Sequence, residues 1–160
     1  MMLIAIVAIS LFAGIAAQTS SSIAKAEKEK ELIFRGLAYR NAIASYYKAG
    51  RLRKEYPTSL ESLLKDPRFP NKHHIRQLYT DPITNTNKWT LVYGKEGGII
   101  GVASKDSSIP IRKKNFPKGL NHFENAQTYQ DWHFTWSPQK QIMKSNNKVS
   151  SKLDNMKVEH

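Results

Sequence analysis

The sequence opens with a long stretch that carries no charged side chain. Residues 1–24 contain no Asp, Glu, Lys or Arg, and from Leu3 to Ala17 every residue except Ser10 is apolar or glycine. As a helix, about 24 residues at ~1.5 Å each reach roughly 36 Å, more than the ~30 Å hydrocarbon core of a bilayer. The sequence therefore predicts a membrane-spanning helix, and the side chains expected to anchor it and pack it against neighbours are Leu3, Ile4, Ile6, Val7, Ile9, Leu11, Phe12, Gly14 and Ile15.

A cleaved secretory signal is the alternative interpretation of this stretch. Leu3 to Phe12 would be its apolar region, and Ile15-Ala16-Ala17 would be its small-residue cleavage site. No Lys or Arg precedes the apolar run and the following residues have helical character, which favours the anchor. Both interpretations place most of the chain across a membrane.

The helix is predicted to continue through residues 25–50 as an amphipathic half. Lys and Glu alternate over residues 25–31 at spacings that suit an exposed helix surface, and no proline occurs before Pro57. Apolar, aromatic and small residues then recur every three or four positions, and Gly50 is a natural terminator. The predicted core face of this half comprises Leu32, Gly36, Tyr39, Ile43, Tyr46 and Tyr47.

Residues 51–137 are predicted to form a small globular domain. Thr58 and Glu61 have the spacing of a capping box before a short helix whose buried side is Leu60, Leu63 and Leu64. A turn cluster follows at 81–87. The polar residues 138–160 contain no aromatic residue apart from histidine, and we expect a disordered tail.

Three strands are predicted within this domain. Trp89–Tyr93 and Ile99–Ala103 flank a glycine-rich loop and form a hairpin, and Trp132–Trp136 is the third strand. The expected fold class is α+β, with a long amino-terminal transmembrane and amphipathic helix packed on a small three-stranded antiparallel sheet. The sheet side of the core is predicted to comprise Trp89, Leu91, Ile99, Trp132 and Phe134.

The residue inventory points away from an enzyme. Cysteine is absent, which excludes disulfides, thiolate metal sites and thiol nucleophiles. His73 and His74 are adjacent, so their side chains diverge and do not suggest a metal site with His122 and His133. No spacing of Ser, His and an acid recommends a hydrolase, and Asp66 and Asp81 each precede a proline in a turn.

Several segments in this order resemble the type IV pilin and type II secretion pseudopilin family, and look most like the major pseudopilin. The likeness covers roughly residues 1–136, and the segments that carry it are Arg40–Tyr47, Tyr56–Leu64, Leu78–Thr84, Trp89 and Gly97–Ser104. It implies a structural subunit that is anchored in the bacterial inner membrane by a single pass, with its carboxyl-terminal domain in the periplasm. The implied partners are other pilin or pseudopilin subunits, inner-membrane assembly platform proteins and the lipid bilayer.

The chain departs from the family pattern at two places. The processing signature of a basic leader, a glycine and a glutamate at the fifth mature position does not precede Met1-Met2, so either the true start lies upstream or this member is processed differently. Major pseudopilins bind calcium through an acidic loop after the second strand. Ser104–Ser108 matches that loop but offers Asp106 as its only carboxylate, so we expect no cofactor.

The net charge of +12 suggests an anionic partner. The basic residues are scattered, and a solvated surface explains most of them. A second functional hypothesis is a DNA-binding minor pilin of an uptake system, which would use a basic patch with an interleaved aromatic residue. This patch comprises Arg112, Lys113, Lys114, Phe116 and Lys118. A third is a basic periplasmic binding protein released from its signal peptide.

Overall fold

A computed structural model describes residues 2–50 and 53–138, with side chains from residue 21 onward. Its helices and strands are α1 (Met2–Ala49), α2 (Glu61–Leu64), β1 (Thr90–Tyr93), β2 (Ile99–Ala103) and β3 (Phe134–Thr135). Two short 3₁₀ helices, Asn121–Asn125 and Tyr129–Asp131, lie between β2 and β3. The α+β fold class is confirmed: a helix packs on a small three-stranded antiparallel sheet.

Helix α1 is continuous over 48 residues, as the sequence predicted. Ion pairs at helical spacing support its charged part, with Lys30 Nζ 2.6 Å from Glu27 and Arg35 Nε 2.7 Å from Glu31. Lys48 lies in the last turn, where its positive charge interacts favourably with the helix dipole. The helix ends before Gly50. Among the side chains that the structure describes, no helix combines enough length and apolarity to cross a bilayer.

The capping box predicted at Thr58 and Glu61 is wrong. Helix α2 begins at Glu61, and the residue at its N-cap position is Leu60, which makes no side-chain cap hydrogen bond. Thr58 therefore lies outside the helix, while Ser59 Oγ accepts a long hydrogen bond of 3.4 Å from the Ser62 N–H. Of the predicted buried leucines, Leu63 is buried while Leu60 and Leu64 are half-buried.

The sheet has the strand order β1-β2-β3. The hairpin loop is closed by a 3.0 Å hydrogen bond from the Gly94 N–H to the Gly98 carbonyl. Strand β3 is shorter than predicted and pairs antiparallel with β2, with Val102 opposite Phe134. In addition, the Trp136 N–H donates to the Ile100 carbonyl at 2.8 Å.

Gly98 is the tightest position of the hairpin loop. Its φ of +75° lies in the left-handed region, and an added Cβ would lie 2.7 Å from Tyr56 Cβ. We expect Gly98→Ala to lower the free energy of unfolding by about 2–3 kcal/mol, from backbone strain plus this clash. Gly97→Ala is the matched control because its φ is +80° and nothing lies within 4 Å of the added Cβ. It should cost only about 1 kcal/mol in urea unfolding, and equal losses would contradict the clash.

Contacts divide the chain into two compact units. The first comprises α1 through Leu37, together with Tyr79–Thr90 and Ala103–Trp132. The second comprises Ala38–Leu78, Leu91–Val102 and the chain from His133 onward. The unit boundaries fall inside α1, β1 and β2, so these elements contribute residues to both.

The core of the first unit is aromatic. Trp132 stacks on Phe123 with ring centroids 5.2 Å apart, and meets the edges of Tyr129 and Phe116 at 5.3 Å each. Leu32 and Leu120 are buried in the same unit. The basic segment between β2 and β3 thus supplies a large part of this core, although its sequence pattern predicts a polar excursion.

The core of the second unit joins the end of α1 to the strands. Arg40 Nε donates to the Thr135 carbonyl at 3.0 Å.

Over both units, most of the predicted core residues are buried: Leu32, Gly36, Tyr39, Ile43, Tyr46, Trp89, Ile99, Trp132 and Phe134. Tyr47 and Leu91 are half-buried.

Candidate functional site

The predicted anchor side chains lie outside the described residues. This applies to Leu3, Ile4, Ile6, Val7, Ile9, Leu11, Phe12, Gly14 and Ile15, and the backbone there belongs to α1. Residues 139–160 of the predicted tail also lie outside the described residues. The described part of α1 begins with mostly exposed residues at 21–28, and its buried face starts at Glu29.

Glu29 is a buried carboxyl group on the core face of α1, with an exposed fraction of 2%. Its Oε1 accepts hydrogen bonds from the Tyr129 hydroxyl at 2.8 Å and from the Ile111 N–H at 2.6 Å. Its Oε2 accepts from the Arg112 N–H at 3.1 Å. One side chain of α1 therefore holds both the chain at 111–112 and the second 3₁₀ helix.

Lys25, one turn earlier on α1, holds the same segment. Its ammonium donates to the Ile109 carbonyl at 2.9 Å and lies 5.7 Å from the centre of the Tyr129 ring. Burial, and then the hydrogen bond to Glu29, raise the pKa of the Tyr129 hydroxyl well above its ordinary value. The phenol therefore stays protonated and donates to Glu29 at all physiological pH values.

The predicted nucleic-acid patch separates into two environments. Lys113, Lys114 and Lys118 are exposed and Arg112 is half-buried. Phe116 packs edge-on against Trp132 at 5.3 Å and against Phe123 at 5.6 Å. Its ring is thus a half-buried part of the core, so the aromatic member of the patch serves packing as well as any base stacking.

Two apolar side chains are exposed immediately before this basic run. Ile109 is 67% exposed and Ile111 is 47% exposed. Because Lys25 and Glu29 fix their backbone, they lie beside the first charged turns of α1. Ile23 on α1 is also 60% exposed. The first unit therefore combines exposed isoleucines with Arg112, Lys113 and Lys114.

Ser104–Ser108, the predicted counterpart of the pseudopilin calcium loop, is closed by hydrogen bonds. Ser104 Oγ donates to the buried Asp81 at 2.7 Å and accepts from the Asp106 N–H at 3.1 Å. Asp106 in turn accepts from the Ser108 N–H at 2.8 Å. Within the described residues no group of three His, Cys, Asp or Glu residues could hold a metal ion.

Asp66 is the centre of a second buried polar network, in the second unit. Arg68 binds both of its carboxylate oxygens, with Nε 2.9 Å from Oδ1 and Nη2 2.8 Å from Oδ2. Arg68 also donates to the Tyr46 carbonyl at 2.8 Å, with its guanidinium 3.8 Å from the centre of the Tyr46 ring. Burial works to raise the pKa of Asp66, but hydrogen bonds from Arg68 and His74 outweigh it and hold the pKa well below its ordinary range.

Ser45, His74 and Asp66 form one hydrogen-bonded series that the sequence spacing did not reveal. Ser45 Oγ lies 2.8 Å from His74 Nδ1, and His74 Nε2 lies 3.0 Å from Asp66 Oδ2. These are the residue types of a hydrolase triad. However, Ser45 lies inside α1, where backbone N–H groups bond within the helix and cannot stabilise an oxyanion. The series is best explained as the attachment of the 66–74 loop to α1.

No protein-family model, curated protein or solved structure matches this chain.

Proposed function

We propose that the chain is a pilin-like structural subunit, a pseudopilin or minor pilin of a type II secretion or type IV pilus assembly. Residues 1–24 anchor it in the inner membrane, its carboxyl-terminal domain lies in the periplasm, and its long helix packs into a filament. The observation that carries this proposal is the continuity of α1. One helix of 48 residues begins in the charge-free stretch and ends against the sheet.

The pattern of exposure along α1 supports this division of roles. The helix is buried in the described fold only from Glu29 onward, whereas residues 21–24 are exposed. A helix that served the domain alone would not need about 28 further residues, since most globular helices have three or four turns. We therefore assign the first half of α1 to contacts with lipid and with the helices of other subunits.

The two polar networks are suited to a subunit under mechanical load. Glu29 binds the segments at 111–112 and 129 directly from α1. Asp66 holds Arg68 and His74, which in turn bind the Tyr46 carbonyl and the Ser45 hydroxyl of α1. Such contacts keep loops in place on a helix that is drawn out of a membrane. This function requires no catalysis, and its partners are other subunits, the assembly platform and the bilayer.

The test is fractionation of bacteria that express the native gene, with intact-mass analysis of the protein extracted from membranes. We expect a membrane-bound protein that retains Leu3 to Ala17, and an upstream leader cut to a methylated amino terminus would be the strongest support. A soluble product that begins near Gln18 would overturn the proposal. The apolar run would then be a signal peptide, and a basic periplasmic binding protein would replace the filament subunit.

A further inference from the structure

We propose that residues 109–114, here named the 109–114 loop, bind the surface of an anionic phospholipid bilayer. In this arrangement Ile109 and Ile111 insert among the headgroups, and Arg112, Lys113 and Lys114 contact lipid phosphates. The inference rests on the proposed membrane anchor and adds a second membrane contact made by the folded domain. It also gives the basic patch a lipid ligand in place of DNA.

The position of the loop along α1 is the first argument. Lys25 is the first charged residue after the charge-free stretch, and its ammonium holds the Ile109 carbonyl at 2.9 Å. Glu29 holds the N–H groups of Ile111 and Arg112. Residues 24 and 29 are about 7.5 Å apart along a helix axis, comparable to the ~5–8 Å depth of one headgroup layer. The loop is therefore fixed at the level where a spanning helix leaves the hydrocarbon.

The composition of the loop is the second argument. Two isoleucines with exposed fractions of 67% and 47% stand directly before three basic residues. No Asp or Glu occurs between Asp106 and Glu124, so no acid on this segment offsets their charge. Apolar side chains that enter the interface beside Lys and Arg are the combination by which proteins bind anionic membrane surfaces.

A neighbouring cavity has the same chemistry. It measures about 330 Å³ and is lined by apolar groups of Ala24, Ile83 and Tyr129, with Lys25 and Lys28 as its charged members. DNA phosphates would contact the lysines, but the exposed isoleucines would have no role in binding DNA. The Phe116 ring, which base stacking would need, packs on Trp132. Lipid therefore explains more of the surface than nucleic acid does.

The absence of native cysteine allows a direct test with the full-length chain. Ile111→Cys, and separately Ile109→Cys, would carry an environment-sensitive NBD label in vesicles of phosphatidylcholine with or without phosphatidylglycerol. We expect blue-shifted emission and quenching by nitroxide lipids in the anionic vesicles. Arg112→Gln/Lys113→Gln/Lys114→Gln should weaken the loop's preference for the anionic surface roughly 100-fold, because each of the three basic residues contributes about fivefold.

The control is a label at Tyr93→Cys, since Tyr93 is a large side chain with a similar exposed fraction of 60%. The emission of this label should indicate an aqueous environment in both kinds of vesicle. If the protein resists alkaline extraction but the labels at 109 and 111 behave like the one at 93, the inference is overturned and the anchor stands. Release of the protein by alkaline extraction overturns both. Emission changes caused by duplex DNA but not by anionic vesicles overturn the inference in favour of the DNA-binding alternative.

Discussion

Replacing Glu29 by alanine should lower the free energy of unfolding by about 3 kcal/mol, because it leaves three donors without their acceptor. These donors are the Tyr129 hydroxyl and the N–H groups of Ile111 and Arg112. Each unsatisfied buried group costs roughly 1–3 kcal/mol, and water entering the vacated space offsets part of the sum. Urea unfolding of the detergent-solubilised chain, followed by circular dichroism, measures the loss.

Glu27→Gln is the matched control for this substitution. Glu27 lies one half-turn away on α1 with a side chain that is 62% exposed, and its ion pair with Lys30 should contribute less than about 0.5 kcal/mol. Tyr129→Phe removes only one donor and should cost about 1 kcal/mol. The double variant Glu29→Ala/Tyr129→Phe should lose less than the sum of the two single losses, because the residues are in contact. Equal losses for Glu27→Gln and Glu29→Ala would contradict the attachment role.

Asp66→Ala should produce a loss of similar size, about 3 kcal/mol. It removes the carboxylate that binds Arg68 Nε, the Arg68 N–H and His74 Nε2, and it leaves the guanidinium with the Tyr46 carbonyl as its remaining acceptor. Breaking a buried pair typically costs ~3–5 kcal/mol, and the partial exposure of Arg68 places this pair at the lower end of that range. Glu96→Gln, at an exposed position of the hairpin loop, is the control and should leave the unfolding midpoint unchanged. A midpoint for Asp66→Ala equal to that of Glu96→Gln would refute the role of the network.

The same carboxylate predicts how stability depends on pH. The pKa of Asp66 is lower in the folded state than in the unfolded chain, where it lies near its ordinary value of about 3.9. The contribution of Asp66 to the free energy of unfolding is therefore complete well above pH 4, and it is lost as the pH falls toward the pKa of the folded state. Asp66→Asn should make the stability curve flatter on the acid side in urea titrations. An unchanged slope of stability against pH on the acid side would show that Asp66 does not cause the loss of stability there.

The elements that the sequence predicted are those with local signals. Unbroken helical periodicity predicted α1 up to Gly50, and a glycine-rich loop between two apolar runs predicted the hairpin. Alternating aromatic residues indicated the third strand, although β3 itself spans Phe134–Thr135. Each of these patterns depends on neighbours within a few residues, which is the range that sequence periodicity reports.

The Glu29 attachment was missed although a signal for it existed. Glu27, Glu29 and Glu31 share the same alternating context, yet the Glu27 and Glu31 side chains are 62% and 45% exposed while Glu29 is buried. Extending the core face of α1 back from Leu32 and Gly36 by three and seven residues leads to Glu29. Periodicity thus identifies the burial of Glu29, but not its partners near residues 111 and 129.

The Asp66 network and the aromatic core of the first unit gave no such local sign. Asp66 was assigned a turn role, which its hydrogen bond to the Arg68 N–H supports at 2.9 Å. Its pairing with His74 and Ser45 depends on how the 66–74 loop returns to α1. The sequence places Phe116 in a candidate nucleic-acid patch because its neighbours in the chain are basic, whereas its neighbours in space are Phe123 and Trp132. Contacts at such separations follow from the fold and not from spacing.

The bond between Glu29 and Tyr129 has a consequence for the order of events during synthesis, since the two residues are 100 positions apart. At roughly 5–20 residues per second, the ribosome completes residue 129 about 5–20 s after residue 29. Throughout that interval the core face of α1 has a carboxyl group with no Tyr129 to bind. Closing so long a loop is slow compared with forming the helix. The helix therefore exists first as an unfinished surface, and the core of the first unit is complete only when the last third of the chain has been synthesised.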